Sequence, residues 1–183
     1  MTEKEKMISG EYYSSFDKEL EKDREFAKDL CFKFNNLPPS NRIERSNIIN
    51  ELLENVGKEI LMESSFYCDY GYNISIGNNF YSNHNLVILD CAKVKIGNNV
   101  LIAPNVGIYT AEHPIDAQDR ISGLEYAKPI IIGNNVWIGA NTCILGGTTI
   151  GDNTVIGAGS VVTKDIPANV LALGNPCTVV KTI

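Results

Sequence analysis

Ile132, Ile138, Ile144, Ile150, Ile156 and Val162 stand six residues apart, and Gly133, Gly139, Gly151 and Gly157 follow four of them. Ile96, Ile102 and Ile108 carry the same spacing earlier in the chain, and a further IGNNFY begins at Ile76. Six is neither a helical nor a heptad period, and glycine at this density costs roughly 1 kcal/mol per position inside a helix. Isolated strands fail too, because turn residues return every six positions where period-2 alternation should run. The pattern fits short flat faces joined at corners, with the aliphatic residue pointing into a narrow core. Gly, Asn or Asp then turns each corner, where positive φ is cheap for them. Three such faces close one coil of a triangular prism, and backbone hydrogen bonds run from coil to coil. The pattern lapses between Ile108 and Ile132. That polar stretch, with Pro114, Gly123 and Pro129, predicts one extruded loop over 109–131.

The charged residues are distributed unevenly. More than half lie in the first 56 of the 183 positions. Among them Phe16, Leu20, Ala27, Leu30, Cys31 and Phe34 recur near the helical period. Pro38-Pro39 ends that helix, and Ser40 or Asn41 can cap a second one. Ile49, Leu52, Leu53 and Val56 form its apolar stripe, with Gly57 as its stop. Domains are thus expected at 1–57, a pair of α-helices, and 58–183, the repeat body with its loop.

A net charge of −6 argues against nucleic acid or an anionic membrane as the main partner. No apolar stretch approaches the roughly 20 residues of a membrane span, and the charged start MTEKEKMISGEYY lacks an export signal. Five cysteines without a CxxC pair read as reduced thiols of a cytoplasmic protein. Of the two histidines, His113 sits in Ala111-Glu112-His113-Pro114 at the mouth of the loop, where an imidazole can serve as a general base. Its alternative is a solvated loop residue. Glu112 and Glu125 are the carboxylates that can lie near it. Cys91 reads as a small wall residue. No phosphate-loop, zinc-protease or nucleophile-elbow motif is present.

TEKEKMISGE, CDYGYNISIGNNFY (68–81), YTAEHP (109–114), KPIIIGNNVWIGA (128–140), IGAGSVVTKDIP (156–167) and Gly174-Asn175-Pro176 are specific. Through them the chain resembles the maltose and galactoside O-acetyltransferases, among the hexapeptide-repeat acyltransferases, over almost its whole length. The resemblance implies an all-β, left-handed parallel β-helix with an N-terminal pair of helices. It implies a homotrimer with active sites between subunits, the loop of one reaching onto the next. The activity implied is acetyl transfer from acetyl-CoA to a sugar hydroxyl, without a metal or an acyl-enzyme.

By the same matching His113 is the base and Asn83 the transition-state donor. Asp69, Asn83, Glu125 and either Ser15 or Asp17 meet the acceptor. Trp137, Gly139, Ala140, Ala158, Thr163 and Lys164 hold coenzyme A. Thr178 replaces a usual arginine, leaving Lys181 as the nearby cation, and His84 replaces a usual phenylalanine. A non-sugar acceptor, or a scaffold without catalysis, is the alternative. A metal hydrolyase on the same prism needs three histidine ligands, and the chain has two.

Overall fold

The computed structural model describes residues 1–183. Helix α1 (Glu3–Ser9) has no counterpart in the sequence-based expectation, which held two N-terminal helices. It opens with a reciprocal cap between Thr2 and Glu5 and ends at Gly10 in the left-handed region. Helix α2 (Lys18–Asn36) is capped by Asp17 and stops at extended Leu37, before the two prolines. Phe16 lies outside this helix and is exposed. Helix α3 (Arg42–Leu52) follows Asn41, whose side chain makes no cap bond to the helix backbone. The helix ends at Leu53, so Gly57 does not stop it. Asn55–Val56 is already a strand of the first coil, and Gly57 turns that coil's first corner. None of the helices is long and apolar enough to cross a membrane.

From Asn55 the chain winds through six coils of a three-sided prism. The first face stacks Asn55–Val56, Ile74–Ile76, Val94–Ile96, Ile130–Ile132 and Thr149–Ile150 in parallel. The second stacks Ile60–Met62, Phe80–Ser82, Leu101–Ile102, Trp137–Ile138, Val155–Ile156 and Val170–Leu173, closed by antiparallel Thr178–Thr182. The third stacks Phe66–Cys68, Leu86–Leu89, Gly107–Tyr109, Cys143–Leu145 and Val161–Val162. Register pairs Ile96 with Ile132, Ile102 with Ile138 and Ile108 with Ile144, so like side chains stack in continuous columns. These columns share one core with Leu30, Phe34, Ile49 and Leu52, and helices α2 and α3 thereby close the end of the prism. Ser82 interrupts the second column, and its buried hydroxyl has no hydrogen-bond partner.

Glycine and asparagine divide the corner between them. The glycines that follow the first-face aliphatics, among them Gly57, Gly77 and Gly97, are not in the left-handed region. They are needed for close approach. A Cβ on Gly57 would lie 2.5 Å from the carbonyl carbon of Gly77, and one on Gly97 would lie 2.7 Å from that of Gly133. Positive φ falls instead on Asn79, Asn99, Asn135, Asn153 and Asn169, at 54 to 61°. Their amides form a ladder, each donating to the next at 2.8 to 2.9 Å. Asparagine suits the place because it tolerates this backbone and can pair with its own kind.

The expected loop over 109–131 is shorter and more regular, because Tyr109 and Ile130–Ile131 belong to prism strands. Ala111–Glu112 pairs antiparallel with Leu124–Ala127, which pairs in turn with Tyr13–Ser14. A short helix, α4 (Ala117–Ile121), is capped by Asp116 at the tip. The excursion leaves and rejoins the prism at one point, where Lys128 N–H donates to the Thr110 carbonyl at 3.0 Å.

Gly97→Ala is expected to lower stability by about 2 kcal/mol, because backbone blocks the added methyl. At Gly159 nothing lies within 4 Å and φ is +72°, so Gly159→Ala should cost only about 1 kcal/mol. Urea unfolding of the two variants checks the order; an equal loss would contradict the close-approach account.

Candidate active site

The candidate residues gather along the two edges of the third face. Asn83, at the corner between the second and third faces, stacks in the column that continues through Ala103 to Gly139 and Gly157. His84 begins a neighbouring column that continues through Pro104 and Ala140, whose carbonyl accepts from Gly159 beside Ala158. Asn83 therefore lies on the same edge as Gly139, Ala140 and Ala158. At that edge a Cβ on Gly139 would meet the Ala158 backbone nitrogen at 2.5 Å, so the wall carries almost no side chain. Thr163 and Lys164 stand exposed at the opposite edge of the same face, after strand Val161–Val162. Trp137 is 53% exposed on the second face. Thr178 and Lys181 lie on the exposed closing strand of that second face; Thr178 pairs with Leu173, which tops the Gly139–Gly157 column, while Lys181 stands farther along, opposite Leu171.

The Asn83 amide has a fixed sense. Its Oδ1 accepts the His84 backbone N–H at 2.8 Å. A backbone N–H can only donate, so the oxygen faces it and the Nδ2 donors point away. His84 Nδ1 meets the Ser64 carbonyl, and a carbonyl only accepts, so this nitrogen is the donor.

Asp69, after the third-face strand of the first coil, sits in a second cluster with Glu125, Tyr13, Arg24, Tyr70 and Cys91. Tyr13 donates to Glu125 at 2.8 Å, and Cys91 donates to Asp69 at 3.6 Å. Arg24 donates to the Tyr70 hydroxyl at 2.7 Å and to the Ser15 carbonyl at 2.6 Å. Burial raises the Asp69 carboxyl above its ordinary value; the Cys91 contact opposes this and the Glu125 charge adds to it. Burial likewise raises the Tyr13 phenol, which stays a neutral donor to Glu125. Ser15 thus borders this cluster through its backbone. Asp17 is engaged elsewhere, since its Oδ1 accepts from Glu19 and Leu20 N–H at 3.0 and 3.2 Å as the cap of α2.

His113 is exposed just beyond strand Ala111–Glu112 and makes no hydrogen bond within the chain to Asn83, Asp69 or Glu125. Neither expected carboxylate orients it. Glu112 accepts from Tyr126 and pairs with Lys128 at 3.6 Å, while Glu125 is held by Tyr13. The root of its hairpin is firm, because the buried Thr110 hydroxyl donates to the Leu89 carbonyl at 2.6 Å and accepts from Ala92 N–H at 2.9 Å.

Tyr13, Arg24 and Asp90 were missed from sequence. Arg24 looked like part of a solvated helix face, and Tyr13 gains meaning only from a partner 112 residues away. Asp90 closes the hydrophobic run LVIL and is fully buried. It accepts from Asp69 and Tyr70 N–H at 3.0 and 2.8 Å, setting the turn that presents Asp69. Burial pushes its carboxyl up to about 6, against the pull of the Tyr70 N–H. The native state then holds this proton more tightly than the unfolded chain, so the group's contribution to stability is full below about pH 4 and is lost as pH rises through about 6. Relative to Asp90→Asn, the wild-type protein should lose about 2 kcal/mol between pH 4 and pH 7. Parallel urea titrations check this, and a gap that does not change with pH would refute it.

Residues 6–57 match the maltose acetyltransferase hexapeptide capping motif, and residues 129–164 match the bacterial transferase hexapeptide of six repeats. The galactoside O-acetyltransferase of Escherichia coli K12 is 47% identical over 179 residues, covering 98% of this chain and 88% of that protein. A maltose O-acetyltransferase structure from Clostridium difficile 630 is 56% identical with a TM-score of 0.99, covering 100% of this chain and 98% of that one. A galactoside acetyltransferase solved in complex with coenzyme A is 46% identical with a TM-score of 0.96, covering 100% and 92% respectively. The coil is left-handed, the fold of the hexapeptide-repeat acetyltransferases. With this identity running end to end over the prism and its helical cap, the chain is an acetyltransferase that belongs to the maltose and galactoside O-acetyltransferase family.

Proposed function

We propose that the protein transfers an acetyl group from acetyl-CoA to a hydroxyl of a sugar of the maltose, glucose or galactoside kind, by direct attack, with His113 as general base. The observation that carries the reading is the shared face. The small-residue wall of Gly139, Ala140 and Ala158 runs along one edge into Asn83, while Asp69 lies at the other edge one coil below Asn83. Pantetheine can follow a wall without side chains, and Thr163 and Lys164 stand at its far side, where the ammonium meets phosphate as a point charge. Trp137, Thr178 and Lys181 would extend this coenzyme side on the neighbouring second face. Asp69, Glu125 and Ser15 offer acceptors and donors to sugar hydroxyls, with Asp17 nearby as the helix cap.

In the proposed reaction the sugar oxygen attacks the thioester carbonyl as His113 takes its proton. Charge develops on the carbonyl oxygen, where Asn83 Nδ2 donates. Collapse breaks the carbon–sulfur bond, and the imidazolium returns the proton to the leaving thiolate. Exposed His113, with no carboxylate from its own chain beside it, supports a site completed by a second subunit. In the homotrimer so proposed, the hairpin of one prism reaches the third-face edge of its neighbour. Names of relatives support maltose- or galactoside-type acceptors; a non-sugar acceptor is the competing outcome of the assay.

His113→Ala should lower kcat by about 10³-fold, and Asn83→Ala by about 10²-fold. Coenzyme A binding and sedimentation should be unchanged in both. The assay follows thiol release from acetyl-CoA against maltose, glucose, galactosides, serine and chloramphenicol. Full activity of His113→Ala removes the base. Transfer to serine or chloramphenicol alone removes the sugar, and a fully active single subunit removes the shared site.

A further inference from the structure

Two of the five cysteines stand sulfur to sulfur. Cys31 lies on the inward side of α2, and Cys68 ends the first third-face strand; their Sγ atoms are 3.8 Å apart. Both side chains are buried, at 1% and 6% exposure, yet they form part of the wall of a surface cleft of about 380 Å³ with Lys28, Phe32, Asn35 and Tyr67. Cys91, Cys143 and Cys177 have no sulfur neighbour of this kind. Packing between a helix and a coil has thus placed two thiols within S–H···S contact beside an opening to solvent.

We propose that Cys31 and Cys68 form a reversible dithiol–disulfide site that a hydroperoxide closes. One thiolate attacks the peroxide oxygen, the O–O bond breaks, and that sulfur becomes a sulfenic acid as the alkoxide or hydroxide leaves and takes up a proton. The second thiolate then attacks the sulfenic sulfur, the S–S bond forms, and water departs. Two electrons pass from the sulfurs to the peroxide, and both thiol protons end in the water and alcohol products. The sulfurs must close from 3.8 Å to a bonded separation of about 2.05 Å. The bond joins positions 37 apart in the chain and staples α2 to the strand that runs directly into Asp69. The inference is independent of the acceptor reading, because its readout is chemical.

The test treats the reduced, full-length protein with hydrogen peroxide, blocks the remaining thiols with an alkylating agent after denaturation, and maps peptides without reduction. Expected are three alkylated cysteines, a peptide linking Cys31 to Cys68, full recovery of five thiols with dithiothreitol, and a melting midpoint raised by roughly 5–10 °C. Cys31→Ser and Cys68→Ala should each leave four alkylatable thiols and no linked peptide. If either variant fails to fold, the wild-type peptide map decides alone. Five free thiols after treatment, a link to a different cysteine or to a second chain, or a terminal sulfinic acid on either sulfur would overturn the proposal.

Discussion

Everything in this molecule depends on one coil lying flat upon the next. Parallel strands sit about 4.8 Å apart, and that spacing leaves no room for a Cβ where the first-face corners overlie one another. Glycine is required there by contact between backbones. Once the corners stack, the inward aliphatics fall into columns without further instruction, and the asparagines at positive φ come within hydrogen-bonding reach of their own kind. Each coil is stabilised chiefly by its two neighbours, as in other stacked-repeat architectures. The ends therefore need covers. At one end the helical segment supplies Leu30, Phe34, Ile49 and Leu52, and at the other the antiparallel strand Thr178–Thr182 turns back along the second face.

The same stacking explains why candidate residues far apart in sequence share an edge. Asn83 and Gly139 are separated by almost three coils of chain including the excursion, yet occupy one column. The lower part of the third face is acidic and partly buried, held by Tyr13, Arg24 and Asp90. Along the upper coils the edge that this face shares with the second is lined by Gly139, Ala140 and Ala158.

Much of this was legible because the prism writes its period into the chain. Ile132 through Val162 announces three faces per coil, and the lapse after Ile108 marks where the chain leaves them. Other features were hidden by ambiguity or distance. Gly57 follows an apolar run in a helical region, so it read as a helix stop; it obeys the same rule as Gly77 and Gly97, which only the stacked neighbour reveals. Helix α1 lacks an apolar stripe, and its sole signal was the Thr2 and Glu5 pairing. Arg24 acts through Tyr70, 46 residues away, and Tyr13 through Glu125. Asp17, expected as an acceptor contact, also caps the helix it begins through Oδ1. Long-range polar pairs of this kind leave no periodic trace.

The asparagine ladder measures the excursion between Thr110 and Lys128. Successive rungs are 20 residues apart below it, 36 across it, and 18 and 16 above. The extra length is close to that of one coil, and its two ends touch at Thr110 and Lys128. The segment is thus an appendix rooted at one point of the stack, and its inner strand packs back on the N-terminal segment and the prism corner through Glu125 and Ala127. Lineages of such a scaffold are free to lengthen, shorten or rewrite that appendix, trading the imidazole and its surroundings for other chemistry, while the rungs beneath keep their count.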